Sequence, residues 1–386
     1  MISSRLREFA ASFGPAWIVM IADVDAPSVL TAATVGATYS YGLIWFFLLL
    51  IVPLFVIQEA SGRVGMTTRK GLGKVIRENY SRRVAAVASL PMAVVSVVSY
   101  VAEYAGIAVG MELIGVPPLV SVPVAYVAYV GVVVRRKYIT TERALLIVSG
   151  VLIVSYAGSL LARGFISASP FYVSTNPGYL FLLAACAGAV VMPFMLFYQA
   201  SATAEKRTTR LWAMRTETLV GAIASELGMI VVAMATSGLS SSLNFADPKA
   251  LALALSSLAG SYAPYVFAIG LVAAAFLALV VISLGSSWAI VDTMGWKKES
   301  FLWVYMAESA PAVVIPILYP EPLSLVLELM VVFVFILVGP GVLMGLLAAN
   351  ERIMGNRASG TGWRVAYWLS LAAVIGFGIV AVAAAL

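Results

Sequence analysis

Two short stretches hold the residues best suited to chemistry: Asp25-Ala26-Pro27-Ser28 near the start of the chain, and Ala189-Val190-Val191-Met192-Pro193 near its middle. Both sit inside long apolar runs. Proline lacks an N–H and its ring clashes with the preceding turn, so Pro27 and Pro193 are expected to unwind their helices locally. At Pro193 the missing N–H is the one that would pair four residues back, which frees the Ala189 carbonyl. Met192, beside that break, offers a thioether. Asp25 offers a carboxylate, and Ser28 either a hydroxyl ligand or a cap for the helix that follows. Carboxylate, carbonyl, hydroxyl and thioether together suit a divalent cation. Sulfur tilts the choice towards Mn²⁺ or Fe²⁺ and away from Mg²⁺ and Ca²⁺, which prefer oxygen alone. Methionine is more often core filler than ligand; its place between a freed carbonyl and a helix break favours the ligand reading.

A carboxylate in mid-membrane costs about 2.5–3.5 kcal/mol even on the lenient insertion scale, so Asp25 calls for a compensating partner. Asp23, two residues away, would point about 200° from Asp25 on an intact helix. The two can face one ion only if the helix is already unwound, and Asp23 is otherwise a residue of the entry path. Tyr198, Gln199 and Ser201, after the second break, are candidates for lining an inner cavity. Glu59 and Glu112, near helix ends, read as interfacial, while Glu226, Asp292, Glu308 and Glu328 carry no motif and stand as pathway or packing residues. The chain has no histidine and one cysteine, Cys186. That removes histidine-based metal sites, proton relays and triads, and internal disulfides. No nucleophile–base pair suggests an intramembrane enzyme, and no cofactor is called for.

The elements that must carry these residues follow from composition. Of 386 residues, 62% are hydrophobic and 11% charged, far below the roughly one quarter charged of soluble domains. Apolar runs of about twenty residues mark membrane-spanning helices. Eleven are expected: about 13–36, 41–66, 84–113, 117–134, 143–162, 180–203, 211–238, 263–291, 301–319, 322–349 and 364–386. The first is too long and too polar for a cleavable signal core. With the N-terminus in the cytoplasm, 22 of the 24 Lys and Arg fall on the inner side, leaving Arg163 and Lys249 outside. The net charge of +6 therefore reports topology, not nucleic acid. Trp212, Trp296, Trp303 and Trp363 mark the inner interface, and residues near 248–259 read as a short helix on the outer surface. Gly106-x-x-x-Gly110 and Gly341-x-x-x-Gly345 fit close helix packing.

The whole chain, 1–386, reads as one membrane domain. Spans 1–5 (13–162) form a first repeat, spans 6–10 (180–349) a second, and span 11 (364–386) stands alone. Because five is odd, the second repeat is inverted, and each begins with a broken helix. That is the plan of secondary transporters that alternate access around a fixed midplane site.

Several motifs make the chain similar to the NRAMP divalent-metal transporters. They are Gly14-Pro15, Asp25-Ala26-Pro27-Ser28, Gly36-Ala37, Tyr41-Gly42-Leu43-Ile44-Trp45, Gln58-Glu59 with Arg63-x-Gly65, Gly71-Leu72, Ala102-Glu103, Gly188 to Pro193, and Asn350-Glu351-Arg352-Ile353-Met354-Gly355. The resemblance runs from about residue 14 to 357. It implies a LeuT-type fold, a metal site of Asp25, Ser28, the Ala189 carbonyl and Met192, and a proton-pathway role for Glu103, whose plainer reading is a helix–helix hydrogen bond. Four positions depart from the family pattern. Ser28 stands where its Asp-Pro-Gly-Asn motif has asparagine, and Phe194 follows Pro193 in place of histidine. Tyr100 replaces a carboxylate three residues before Glu103, and Val332, eight residues before Pro340, replaces a glutamine. These departures are similar to an NRAMP-related branch that includes magnesium transporters, whereas Met192 follows the parent pattern.

The expectation is an all-α polytopic protein of the cell membrane, with a LeuT-type inverted repeat (5+5) plus one extra helix, that imports a Mn²⁺/Fe²⁺-class ion as its substrate. Asp23, Glu103, Tyr100 and Gln199 stand as residues of an ion or proton pathway. Protons are a candidate second substrate, but Tyr100 and the missing histidine weaken the coupling and leave diffusion driven by the membrane potential. An uncoupled Mg²⁺ transporter is one alternative. A sodium-coupled amino-acid symporter on the same fold is another, although it would offer glycine-rich backbone where span 1 offers an acid. A channel or receptor would not require two breaks at repeat-related places.

Overall fold

Within a bilayer, backbone N–H and C=O groups must pair inside their own segment, so long apolar runs become helices. The computed structural model describes Phe9 and residues 13–134, 138–206, 210–245, 247–318 and 326–385, and every regular element among them is helical. Span 1 is split into 1a (Pro15–Ile21) and 1b (Ala26–Tyr39), bent by 49°. Spans 2 to 5 are Ile44–Thr68, Arg82–Leu113, Pro118–Val134 and Tyr138–Arg163. Span 6 is split into 6a (Pro177–Val190) and 6b (Pro193–Lys206), followed by span 7 (Leu211–Thr236) and span 8 (Ala263–Met294). Span 9 covers Ser300–Leu318, span 10 comprises 10a (Val326–Ile336) and 10b (Val338–Ala349), and span 11 is Thr361–Ala385.

Eight spans, span 6 with its break among them, and two further pairs bent by 40° or more are long and apolar enough among the described residues to cross a bilayer. The remaining expected span, Pro118–Val134, has 17 residues, the lower end of what crosses a membrane. The bend of 40° between 10a and 10b is a third break, which the sequence reading did not anticipate. Pro340 lies four residues beyond Ile336 and strips its carbonyl of a partner, as Pro193 does for Ala189.

Arg69, Lys70, Lys74 and Lys298 meet around one cavity, so the ends of spans 2 and 8 share a face, as the charge asymmetry requires. At the opposite ends Arg163 donates to the Ser237 carbonyl at 2.9 Å. Arg5, Arg7, Arg135, Arg136, Lys137 and Arg207, counted on the inner side, lie outside the described residues. The expected outer helix is present as Pro248–Ala259, capped by Asp247. Trp212, Trp296 and Trp303 are exposed near the inner ends, while Trp363 packs on Phe55 and beneath the Arg215 guanidinium.

Small residues set how closely the central helices approach. A Cβ on Gly188 would lie 1.9 Å from the Met330 carbonyl oxygen, and one on Gly106 would lie 2.3 Å from the Ala26 methyl. Spans 6a and 10a, and spans 3 and 1b, therefore meet backbone to backbone. The inner halves 1a and 6b pack together, and so do the outer halves 1b and 6a. The two breaks consequently sit side by side at one depth.

Candidate functional site

The break in span 1 is made by hydrogen bonds that go elsewhere. The three N–H groups that would close on the carbonyls of Ala22, Asp23 and Val24 belong to Ala26, Pro27 and Ser28. Ala26 N–H donates to Glu103 Oε2 at 3.2 Å, Pro27 has none, and Ser28 N–H donates to Asp25 Oδ1 at 2.7 Å. The helix cap of 1b is therefore Asp25, which accepts the Ser28 N–H. The Ser28 hydroxyl is buried and has no partner among the described residues.

In span 6 the helix ends at Val190 and restarts at Pro193. Met195 N–H turns back to the Met192 carbonyl at 3.0 Å, so the carbonyl of Val191 loses its i+4 donor as well as that of Ala189. Ala189 and Met192 are fully buried. Asp25 sits at the positive N-terminal end of 1b, and the freed carbonyls at the negative C-terminal end of 6a. Among the described residues, no three acidic or cysteine side chains converge as a metal cluster; the donors here are one carboxylate plus neutral groups.

Asp23 and Asp25 diverge. Asp23 accepts from the Ser225 hydroxyl at 2.9 Å and lies near Glu226 of span 7, while Asp25 lies against Glu103 of span 3. Asp23 Oδ1, Glu103 Oε1 and both Glu226 oxygens are buried without hydrogen-bond partners among the described residues. Gln199 is buried against Gly62 of span 2, whereas Ser201 lines the inner cavity. Val332 is 43% exposed on the outside of span 10. At the contact with 6a it is the Met330 carbonyl and the Val334 side chain that meet Gly188.

Three acids have roles that spacing alone did not reveal. Glu59, read as interfacial, is wholly buried between Arg63 at 2.9 Å and Arg215 at 2.8 Å. Arg63 in turn donates to the Ser359 hydroxyl and the Arg357 carbonyl, so span 2 is tied to span 7 and to the connection between spans 10 and 11. Glu217 accepts the Gly14 and Trp17 N–H groups at 2.7 and 3.0 Å, capping the start of 1a. Lys206 bridges to Glu142 and the Phe13 carbonyl beside it. Gly14 has φ of 146°, and a Cβ there would meet the Glu142 carboxylate, so the Gly14-Pro15 pair is a structural requirement of this junction. Glu308 of span 9 accepts from Ser286, Tyr100 and Ser287 at 2.7, 3.3 and 3.5 Å.

A cavity of about 920 Å³ opens at the basic end between spans 6b, 8 and 9. Gly71, Lys74, Ser201, Glu205 and Asp292 supply its polar edge, and Leu284, Trp288 and Phe301 its inner wall. The cavity extends along span 8 as far as Leu284.

Helices broken side by side, buried donors at the breaks and a cavity from one face define a multi-pass membrane protein of the inverted-repeat transporter fold. The chain belongs to the natural resistance-associated macrophage protein-like (NRAMP) family, whose model matches residues 16–384. It is 27% identical over 310 residues to the divalent metal cation transporter MntH of Verminephrobacter eiseniae, covering 76% of this chain and 68% of that protein. It is also 27% identical over 300 residues to MntH of Erwinia tasmaniensis, covering 72% and 71%. Among solved structures, the manganese transporter of Eremococcus coleocola, bound to an aromatic bis-isothiourea compound, superimposes with a TM-score of 0.81 at 16% identity, over 98% of this chain and 87% of that one. MhsT in complex with L-phenylalanine matches at 0.66 and 13% identity, over 100% and 99%. At these identities both structures speak to the fold.

Proposed function

We propose that this protein carries a divalent metal ion of the Mn²⁺/Fe²⁺ class into the cell by alternating access. The ligands would be Asp25, the Ser28 hydroxyl, the Ala189 carbonyl and Met192, with the remaining positions filled by water. The observation that carries this reading is the pairing of the two breaks at one depth, with a carboxylate and a partnerless hydroxyl on one and freed carbonyls and a thioether on the other. A single carboxylate among neutral donors also suits a carrier, which must release what it binds. Relatives named as divalent metal cation transporters support the same substrate class.

Ser28 and the apolar face of span 10 favour an uncoupled Mg²⁺ transporter as the second reading. One assay decides between them: uptake of Mn²⁺, Mg²⁺ and Ca²⁺ into liposomes holding the purified protein. The proposal expects Mn²⁺ to enter best and unlabelled Fe²⁺ to compete with it; Mg²⁺ entering equally well or better overturns the choice of ion. A sodium-coupled amino-acid carrier is disfavoured because Asp25 would repel a substrate carboxylate at the break.

A further inference from the structure

Two acids beside the span 1 break stand outside the proposed transport site. Asp23 turns from Asp25 towards span 7, where the Ser225 hydroxyl donates to its Oδ2 at 2.9 Å. Glu226, next along span 7, lies beside Asp23, and Cys186 of 6a lies near Glu226. Asp23 is 1% exposed, and Ser225 and Glu226 are 0%. Packing holds span 7 against this turn on either side of the pair. A Cβ on Gly221 would lie 2.8 Å from the Met20 side chain, and one on Gly228 3.4 Å from that of Val24.

Acceptors crowd this junction and donors do not. The two carboxylates carry four oxygens, and among the described residues only Asp23 Oδ2 has a hydrogen-bond partner. The Ala22, Asp23 and Val24 carbonyls of the same turn have lost their i+4 donors. Neither acid is in an ion pair among the described residues. Buried carboxylates are paired with a cationic group or coordinate a metal.

We infer that Asp23 and Glu226, with the Ser225 hydroxyl and a carbonyl of the unwound turn, form a second cation site that holds a Ca²⁺-class ion. Two negative charges call for a divalent ion. Among the described residues Cys186 does not converge with the acids as a metal cluster, so the donors are oxygen alone, the set that hard cations take. Ca²⁺ accepts an irregular cage of oxygens, whereas Mg²⁺ demands octahedral geometry and gives up its waters reluctantly. Such an ion clamps the unwound turn to span 7. The site shares that turn with Asp25, which lies against Glu103 of span 3, but none of its proposed ligands. It therefore stands whichever ion Asp25 holds.

The test is equilibrium binding of radioactive Ca²⁺ to the purified protein in detergent, in a potassium buffer free of other divalent ions, with melting curves recorded in parallel. Wild type should bind at least one Ca²⁺ per chain and melt at a higher temperature with it. Both effects should survive Asp25→Asn, whose side chain can still cap 1b. Glu226→Gln and Asp23→Asn should weaken Ca²⁺ binding about thirtyfold or more, as truncating one member of a buried charged group does. Ser225→Ala should weaken it about fivefold. Absence of Ca²⁺ binding in wild type overturns the inference, because the two carboxyls are then held neutral without a metal. Binding lost in Asp25→Asn assigns the ion to the transport site and overturns it too, as does unchanged affinity in Glu226→Gln. Mg²⁺ bound more tightly than Ca²⁺ overturns the choice of ion. Should the two acid variants fail to fold, Ser225→Ala, which removes one hydroxyl and no charge, decides by its Ca²⁺ affinity. Mn²⁺ uptake by the same preparations bears on the transport reading and not on this site.

Discussion

The breaks in spans 1 and 6 use one backbone device and opposite chemistry. Each has a proline that withholds an N–H, and the helix restarts at that proline in span 6 and one residue before it in span 1. Around span 1 the neighbours are acidic: Asp23, Asp25, Glu103 and Glu226 crowd a single unwound turn. The span 6 break itself carries freed carbonyls and Met192 and no acidic side chain of its own. The difference follows from helix polarity. Span 1b begins at its break, where the dipole is positive and tolerates a carboxylate, while 6a ends at its break and presents carbonyls. On the function proposed above, charge would be recognised at the span 1 break and softness at the span 6 break.

If the division holds, removing the charge should cost most. Asp25→Ala is expected to lower Mn²⁺ uptake by more than about 100-fold, beyond the roughly 10–100-fold that losing an outer-shell partner costs. Retained uptake would move the carboxylate role to Asp23 or Glu103. Removing the sulfur should alter choice more than rate. Met192→Leu, which nearly conserves volume, is expected to lower Mn²⁺ preference over Mg²⁺ by about tenfold, roughly 1.4 kcal/mol. Unchanged selectivity in competition uptake would take the thioether out of the site. Gly188→Ala forces a methyl onto the Met330 carbonyl and should cost about 1–3 kcal/mol of stability, read as a lower melting temperature in detergent. Ser28→Ala should reduce Mn²⁺ affinity only about fivefold, since one neutral hydroxyl bond is worth about 1 kcal/mol. Val332→Ala should leave uptake within about twofold of wild type; a large loss would return that residue to the site.

How much of this was legible from residues alone depends on what a proline does. Pro27 and Pro193 pointed to real breaks, yet Pro53, Pro91 and Pro123 sit inside spans 2, 3 and 4 that continue through them, and Pro340 bends a helix in which no break was expected. A proline removes one donor. Whether the helix opens depends on where the neighbouring donors go, and in span 1 they go to Glu103, 77 residues away, and to the Asp25 side chain. Val332 shows the same limit: counting back from Pro340 named a position, but its face was set by packing and points outward.

Periodicity could not tell a paired acid from an orphaned one. Glu59 and Glu226 look alike in the sequence; one lies between two arginines and the other has no partner among the described residues. Glu308 carried no motif because its partners, Tyr100, Ser286 and Ser287, are 208, 22 and 21 residues away.

The sequence by itself determined that the chain crosses the membrane many times, which side its basic loops favour, and where proline-broken stretches carry the donor groups proposed as cation ligands. Those follow from transfer free energies and from proline's missing donor, both properties of local composition. Only the tertiary structure decided that Asp25 and not Ser28 caps span 1b, that Asp23 and Asp25 face different helices, and that Glu308 of span 9 accepts from Tyr100 of span 3. Each of these depends on which distant group meets a freed donor or a buried charge, and in a medium without water that choice is made by packing.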